Sequence, residues 1–239
     1  MAFDREKLSH LQNQPKTDQE RSMTNSDVPP ISVVIIPVTP LQQNCTMIWH
    51  AADNVGAIVD PGGDVDVIMQ AIAENDITVE KIILTHGHID HAAGADELRE
   101  KLGVEIEGPH IDDKFLLDTL EEKAGAYGIA GARNVTPDRW LDEGETCSIA
   151  RYNFEVLHCP GHSPGSLVYI NRDLRFAFVG DVLFQGSIGR TDFPYGDHDT
   201  LIASIKNKLF QFGDDITFIC GHGAPSTLGH ERESNPFLI

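Results

Sequence analysis

Residues 83 to 94, ILTHGHIDHAAG, carry three histidines and an aspartate within six positions: His86, His88, Asp90 and His91. Imidazole nitrogen and carboxylate oxygen are donors that suit zinc, iron or manganese, whereas a lone structural zinc site recruits cysteines more often. In an extended chain His86 and His88 project to the same side, because side chains alternate with period two, while Asp90 and His91 fall at the turn entering a helix. One ion does not comfortably take four adjacent ligands, but two ions sharing them do. Three further candidates stand alone: His162 in CPGHSPGS, Asp181 in FVGDVLF and His222 in ICGHGAPS. Each follows an apolar, strand-like run and sits beside glycine, which lets the backbone turn sharply or approach an ion closely. That shared context groups them with the first cluster.

The elements that must bring these residues together are short and alternate in type. From Ile31 onward the β-branched runs SVVIIPV, CTMIWH and VGAIVD precede DVDVIMQAIAEN, whose Val65, Ile68, Met69 and Ile72 recur with helical spacing. This predicts an amphipathic helix with Asp64 as its N-cap. The strand KIIL leads directly into the histidine cluster, and AAGADELREKLG reads as a helix stopped by Gly103. A second half follows, with a helical stretch near Asp112 to Lys123. Its strands are read near Cys147 to Ala150, Asn153 to His158, Leu167 to Ile170 and Arg175 to Val179. A helix TLIASIKNKLF and a strand ITFIC complete it. The order predicts a mixed α/β chain, of the α+β kind, with sheets covered by helices and polar loops placed after strands. Residues 1–30 are polar and without apolar periodicity, and read as a disordered extension before one catalytic domain at 31–239.

Composition narrows the partners. With 18 Lys and Arg against 37 Asp and Glu, the formal charge is −19. Such a chain repels phosphate backbones and anionic membranes, so neither nucleic acid nor a membrane is an expected partner. An anionic substrate would need local compensation. The longest strongly apolar run, Ile31 to Val38, is far short of the roughly 18 residues of a membrane span, and the start lacks a signal-like apolar core; a cytoplasmic location is expected. Cys45, Cys147, Cys159 and Cys220 show no C-x-x-C pair and read as reduced, with no nucleophile among them.

The combination of THGHIDH with PGHSPGS, GD and GHG resembles the metallo-β-lactamase superfamily, over a stretch from about Ile31 to the chain end. Within it, VDPGGD, GSIGRTDFP and GHERESNPF most resemble the glyoxalase II group, the hydroxyacylglutathione hydrolases, in its short bacterial form. The resemblance implies a four-layer αββα sandwich with metals at one sheet edge. It makes His86, His88 and His162 the ligands of one ion, Asp90, His91 and His222 those of the other, and Asp181 the bridge. Two divalent ions are implied, zinc foremost, with iron or manganese as alternatives. Asp90 doubles as a candidate proton relay. Asp60 is read either as the acceptor that orients a ligand imidazole beneath the metal loop or as a turn-forming residue before Pro61.

Two metals about 3.5–4 Å apart can hold a hydroxide between them, so no side-chain nucleophile is required. The implied reaction is hydrolysis of S-(2-hydroxyacyl)glutathione, a small thioester, to a 2-hydroxy acid and glutathione, the second step of methylglyoxal clearance. Arg190 is either a contact to the substrate or an arginine paired with Asp192 or Asp197; Tyr195 is a candidate pocket-lining residue. Only 17 residues follow His222, where longer glyoxalase II enzymes carry a helical domain that helps hold glutathione. The GRTDF run also resembles persulfide dioxygenases, which use one iron on residues matching His86, His162 and Asp181. A metal-dependent sensor or interaction module is a third reading, and the oligomeric state stays open.

Overall fold

A computed structural model describes residues 30–239. The expected extension at 1–30 therefore lies, apart from Pro30, outside the described residues. The first sheet takes its strands in chain order: β1 (Ile31–Val38), β2 (Gln43–His50), β3 (Val55–Val59), β4 (Thr78–Ile83) and β5 (Glu105–Glu107). The pairs β1/β2 and β2/β3 are antiparallel, while β3/β4 and β4/β5 are parallel. The second half supplies β6 (Thr146–Ile149), β7 (Tyr152–His158), β8 (Leu167–Asn171) and β9 (Phe176–Gly180). A small hairpin of β10 (Leu183–Phe184) and β11 (Ser187–Ile188) follows, then β12 (Thr217–Cys220) and β13 (Ser226–Thr227). Its six-stranded sheet runs β13-β12-β9-β8-β7-β6, with β12 parallel to β9 and every other pair antiparallel.

Strand periodicity sorts the apolar residues into layers. Met47, Ile58 and Ile82 face outward and pack against Ile68 and Ile72 of α1 (Val65–Glu74). Their chain neighbours Ile48, Val59 and Ile83 face the other way, against Phe154, Tyr169, Phe178 and Ile219 of the second sheet. On the far side Val168, Ile170 and Phe218 meet Leu201 and Ile205 of a later helix, His198–Asn207. The result is helix, sheet, sheet, helix: the expected four-layer αββα sandwich. Central strands buried on both faces read as continuous apolar runs, and each buried aliphatic or aromatic side chain contributes roughly 1.5–3 kcal/mol.

Several local expectations need correction. Asp64 occupies the N-cap position of α1, but its backbone is left-handed (φ 48°), so its carboxylate accepts from the Thr39 N–H at 2.7 Å instead of capping the helix. The helix expected from Ala92 to Gly103 is two helices, α2 (Ile89–Ala92) and α3 (Ala95–Leu102), parted at Gly94. Gly94 N–H donates to the Pro61 carbonyl at 3.0 Å, and a Cβ there would lie 2.7 Å from that oxygen. Gly103 ends α3 in the left-handed conformation, as read. The helical stretch expected near Asp112 to Lys123 is present as a 3-10 turn at Ile111–Asp113, then α4 (Lys114–Leu117) and α5 (Leu120–Tyr127). The helix at His198–Asn207 becomes α6, and α7 (Leu228–Ser234) closes the described fold. Among the described residues no helix is long and apolar enough to cross a membrane.

Candidate metal centre

The donors sit on loops that leave the carboxyl ends of strands. Asp60 follows β3, His86 and His88 follow β4, His162 follows β7, Asp181 follows β9 and His222 follows β12, while Asp90 and His91 lie in α2. Strands β3 and β4 are parallel, as are β9 and β12, and β7 shares the direction of β9 because both are antiparallel to β8. Both sheets therefore present these loops at one edge.

Three imidazoles converge there. His88 Nδ1 lies 3.0 Å from His86 Nε2 and 2.8 Å from His162 Nε2. His162 Nδ1–H donates to the Arg190 carbonyl at 2.8 Å, which leaves Nε2 as a bare lone pair. Thr85 Oγ1 donates to Asp60 Oδ2 at 2.6 Å, so at 3.1 Å it accepts from His86 Nδ1–H, and His86 Nε2 is bare too. A proton on His88 Nδ1 could serve only one of the two nitrogens facing it; a cation satisfies all three. Burial, reinforced by the neighbouring imidazoles, drives His86 well below the usual histidine range and His88 down to about 3. These rings are neutral, the form that ligates.

The second set mixes charge types. His222 Nε2 lies 3.1 Å from Asp90 Oδ2, and His91 Nε2 lies 3.3 Å from Asp181 Oδ1. His91 Nδ1–H donates to Asp60 Oδ2 at 2.9 Å, so in the neutral ring, the form that ligates, its Nε2 is a lone pair. Among the described residues His91 Nε2 and Asp181 Oδ1 are buried with no hydrogen-bond partner. Two facing, desolvated lone pairs are costly unless a cation lies between them. Burial lowers the affinity of His91 for a proton, but the carboxylates of Asp181, Asp90 and Asp60 outweigh it and raise the group well above its usual range. Burial likewise works against the Asp181 carboxylate, yet His91, His162 and His222 hold it well below the usual range. The site stores a strong local demand for positive charge.

Asp181 reaches both sets, because its Oδ2 is 3.5 Å from His162 Nε2 and 3.6 Å from His222 Nε2 while Oδ1 faces His91. Space is reserved around it. A Cβ on Gly221 would lie 2.0 Å from Asp181 Oδ1 and 2.4 Å from His91 Cε1. All seven residues named from the sequence thus converge, and Asp60 accepts from His91 beneath them.

One residue escaped the sequence. Asp113, fully buried, accepts from Gly87 N–H (2.8 Å) and Ser163 Oγ–H (2.7 Å) on Oδ2, and from Gly165 N–H (2.6 Å) on Oδ1. It ties the loop between His86 and His88 to the loop that carries His162. Burial pushes its carboxyl up to about 6 against the pull of these donors. Nothing in the IDD tripeptide distinguishes Asp113 from its solvated neighbour Asp112, since the distinction arises only when the two loops meet.

A cleft of about 670 Å³ opens over the donors, walled by Leu116, Leu120, Tyr127, Phe184, Ile188 and Phe193. Tyr195 lines it, with its hydroxyl 2.9 Å from His88 Nε2. Arg190 lines it as well, but its Nε and one terminal nitrogen each donate to Asp192 at 2.7 Å, and the guanidinium sits 4.4 Å from the Phe193 centroid. A further donor group, His110, Asp112 and His158, lies apart. Its imidazoles are stacked at 4.1 Å with planes 17° apart, and His158 Nε2–H already donates to the Pro164 carbonyl. Parallel rings do not aim two lone pairs at one point. The four cysteines are free and buried, with burial raising every thiol, Cys159 to about 12 and Cys220 to about 11. None is a nucleophile.

Residues 38–222 match the family model of the metallo-beta-lactamase superfamily. The chain belongs to that superfamily. Among superfamily relatives it is 49% identical over 209 residues to the hydroxyacylglutathione hydrolase GloC of Haemophilus influenzae, covering 87% of this chain and 98% of that protein. In structure it resembles the BLEG-1 B3 metallo-beta-lactamase, with a TM-score of 0.79, 35% identity, and coverage of 87% of this chain and 99% of the other. It also resembles TTHA1623, solved in a di-iron-bound form, with a TM-score of 0.77, 33% identity and coverage of 86% and 100%. As a superfamily member the protein is a metal-dependent hydrolase, and His86, His88 and His162, like Asp90, His91 and His222, form a group that could hold a metal ion.

Proposed function

We propose that this superfamily member hydrolyses glutathione-linked 2-hydroxyacyl thioesters with two divalent metal ions. The observation that carries a two-metal reading is the pair of orphaned atoms, His91 Nε2 and Asp181 Oδ1, beside a complete three-imidazole set. In this reading His86, His88 and His162 hold one ion, Asp90, His91 and His222 the other, and Asp181 serves both. Zinc is the expected metal; the di-iron form of TTHA1623 makes iron a serious second, and manganese a third. When bound, such ions supply Lewis acidity toward a carbonyl oxygen and make water a competent nucleophile near neutral pH.

The chain's own residues do the rest. Asp60 and the Arg190 carbonyl fix which nitrogens of His91 and His162 carry protons, and so which lone pairs face the ions. Asp90, which lines the cleft, takes up the proton released from water. The apolar walls exclude bulk water and strengthen every charge interaction beneath them. Tyr195 orients His88 and faces the substrate, and the uncommitted edge of Arg190 contacts its polar arm. The departing thiolate needs no general acid of its own. Glutathione as the thiol is supported by the resemblance to GloC.

The test is direct. Protein reconstituted separately with zinc, iron and manganese is given S-lactoylglutathione, glutathione persulfide and a cephalosporin, with lactate, sulfite and ring opening as readouts. Lactate release with about two ions per chain upholds the proposal. Sulfite formation with one tightly held iron would replace it by the dioxygenase reading, and no turnover at full loading by the sensor reading.

A further inference from the structure

Two cationic side chains line the cleft, and they differ. Arg190 is neutralised by its bidentate pair with Asp192. Lys123 has no carboxylate within 4.0 Å among the described residues. Lys206 has none either, whereas Lys101 pairs with Glu97 and Lys114 with Asp118, each four residues away. The helix explains it. On a helix, side chains three and four apart are neighbours, and those positions around Lys123 are Thr119, Leu120, Ala126 and Tyr127, none acidic. Leu116, Leu120, Lys123 and Tyr127, spaced by four, three and four, form one stripe along α4 and α5, and all of them line the cleft. Lys123 is half-buried, so its stem adds to the apolar wall while the ammonium stands in a site otherwise rich in carboxylates.

We infer that Lys123 anchors a carboxylate on the thiol arm of the substrate, and that the enzyme selects thioesters whose thiol ends in an anion. The inference rests on the hydrolase reading and deepens it. The thioester lies over the donor sets, the arm runs along Leu116 and Leu120, and its carboxylate meets the one cleft cation without an acidic partner among the described residues. A charge-assisted contact of this kind fixes which thiol is accepted without touching the reacting atoms. Its effect belongs in KM, because it is made equally in the ground and transition states.

Three substrates separate the possibilities: S-lactoylglutathione, the same compound with both carboxylates methylated, and the neutral thioester S-lactoyl-N-acetylcysteamine. In zinc-loaded protein Lys123→Ala is expected to raise KM for S-lactoylglutathione about tenfold, in line with a lost hydrogen bond to a charged group, while kcat stays within about twofold. Lys123→Arg should restore most of the loss, and the two capped or neutral substrates should not register either change. Raising the salt concentration should raise KM of the parent for S-lactoylglutathione and leave that of Lys123→Ala flat. Equal effects on charged and methylated substrates, or none on either, overturn the inference and leave the hydrolase reading standing. If the parent turns over none of the three, the hydrolase reading fails. Calorimetry with S-methylglutathione, a thioether that cannot be hydrolysed, then decides Lys123 alone. About tenfold weaker binding to Lys123→Ala supports the anchor, while equal binding, or none to the parent, removes it.

Discussion

The two halves of the candidate metal centre are built on different electrostatics. His86, His88 and His162 form an all-imidazole half in which burial disfavours a proton on each ring, and His86 Nε2 and His162 Nε2 lie 3.0 and 2.8 Å from His88 Nδ1. Asp90, His91 and His222 form a mixed half, where carboxylates outweigh burial and raise both histidines. The first half is organised by lone-pair direction, the second by net charge. An imidazole set binds a cation through directed donors that must be held in register, whereas a carboxylate set attracts it over a longer range and tolerates small misplacement. The supports differ accordingly. Asp113 clamps the loops of the first half, and Asp60 orients His91 in the second.

Removing the residue common to both should have the largest effect. With Asp181→Ala, metal content by elemental analysis is expected to fall from about two ions per chain to one or fewer, and turnover to be lost; full loading with retained activity would end its assignment as the bridge. Next come single-half lesions. His88→Ala and His222→Ala should each leave about one ion, held in the mixed half for the first and in the imidazole half for the second, and cobalt spectra of the two variants should differ. Identical spectra would mean that the halves are not separable.

A subtler lesion acts through the clamp. Asp113→Ala is expected to weaken metal affinity roughly 10–100-fold, the range typical of residues that orient ligands, and to do so in the imidazole half only. Competition with a chelator should show one weakened ion and one unchanged. Asp113 also predicts a pH effect in metal-stripped protein. Its folded pKa, about 6, is above its unfolded value of 3.8, so its contribution to stability is fully present below pH 3.8 and is lost as pH rises through 6. Melting temperature should therefore fall between pH 4 and 6 more steeply in the parent than in Asp113→Asn; parallel slopes would show that the carboxyl does not change its charge there. The smallest effect is expected at Tyr195, where Tyr195→Phe removes one hydrogen bond to His88 and should lower kcat/KM by roughly two- to tenfold. No loss would make the hydroxyl a bystander.

The clustered donors were legible because density of type is itself information: four donors in six positions, and three more beside glycine at strand ends, have few other uses. Strands and the main helices were legible from their periods, as with Val65, Ile68 and Ile72 of α1. Local backbone detail was not. The left-handed Asp64 is set by the distant Thr39 N–H, and the break at Gly94 by the approach of Pro61, so neither leaves a local mark.

What the sequence alone determined was the donor chemistry and the alternation that stacks two sheets between helices, since both depend on residue type and short-range spacing. Only the tertiary structure decided which residues serve the donors and the cleft. Asp113 became a clamp through contacts to Gly87, Ser163 and Gly165, dozens of residues away, and the same meeting of loops set Arg190, already paired with Asp192 two residues on, and Lys123, without an acidic partner among the described residues, in one cleft. A carboxylate or an ammonium has the same chemistry everywhere in the chain. Its role is fixed by the dielectric and the charges around it, and these exist only after the loops have met.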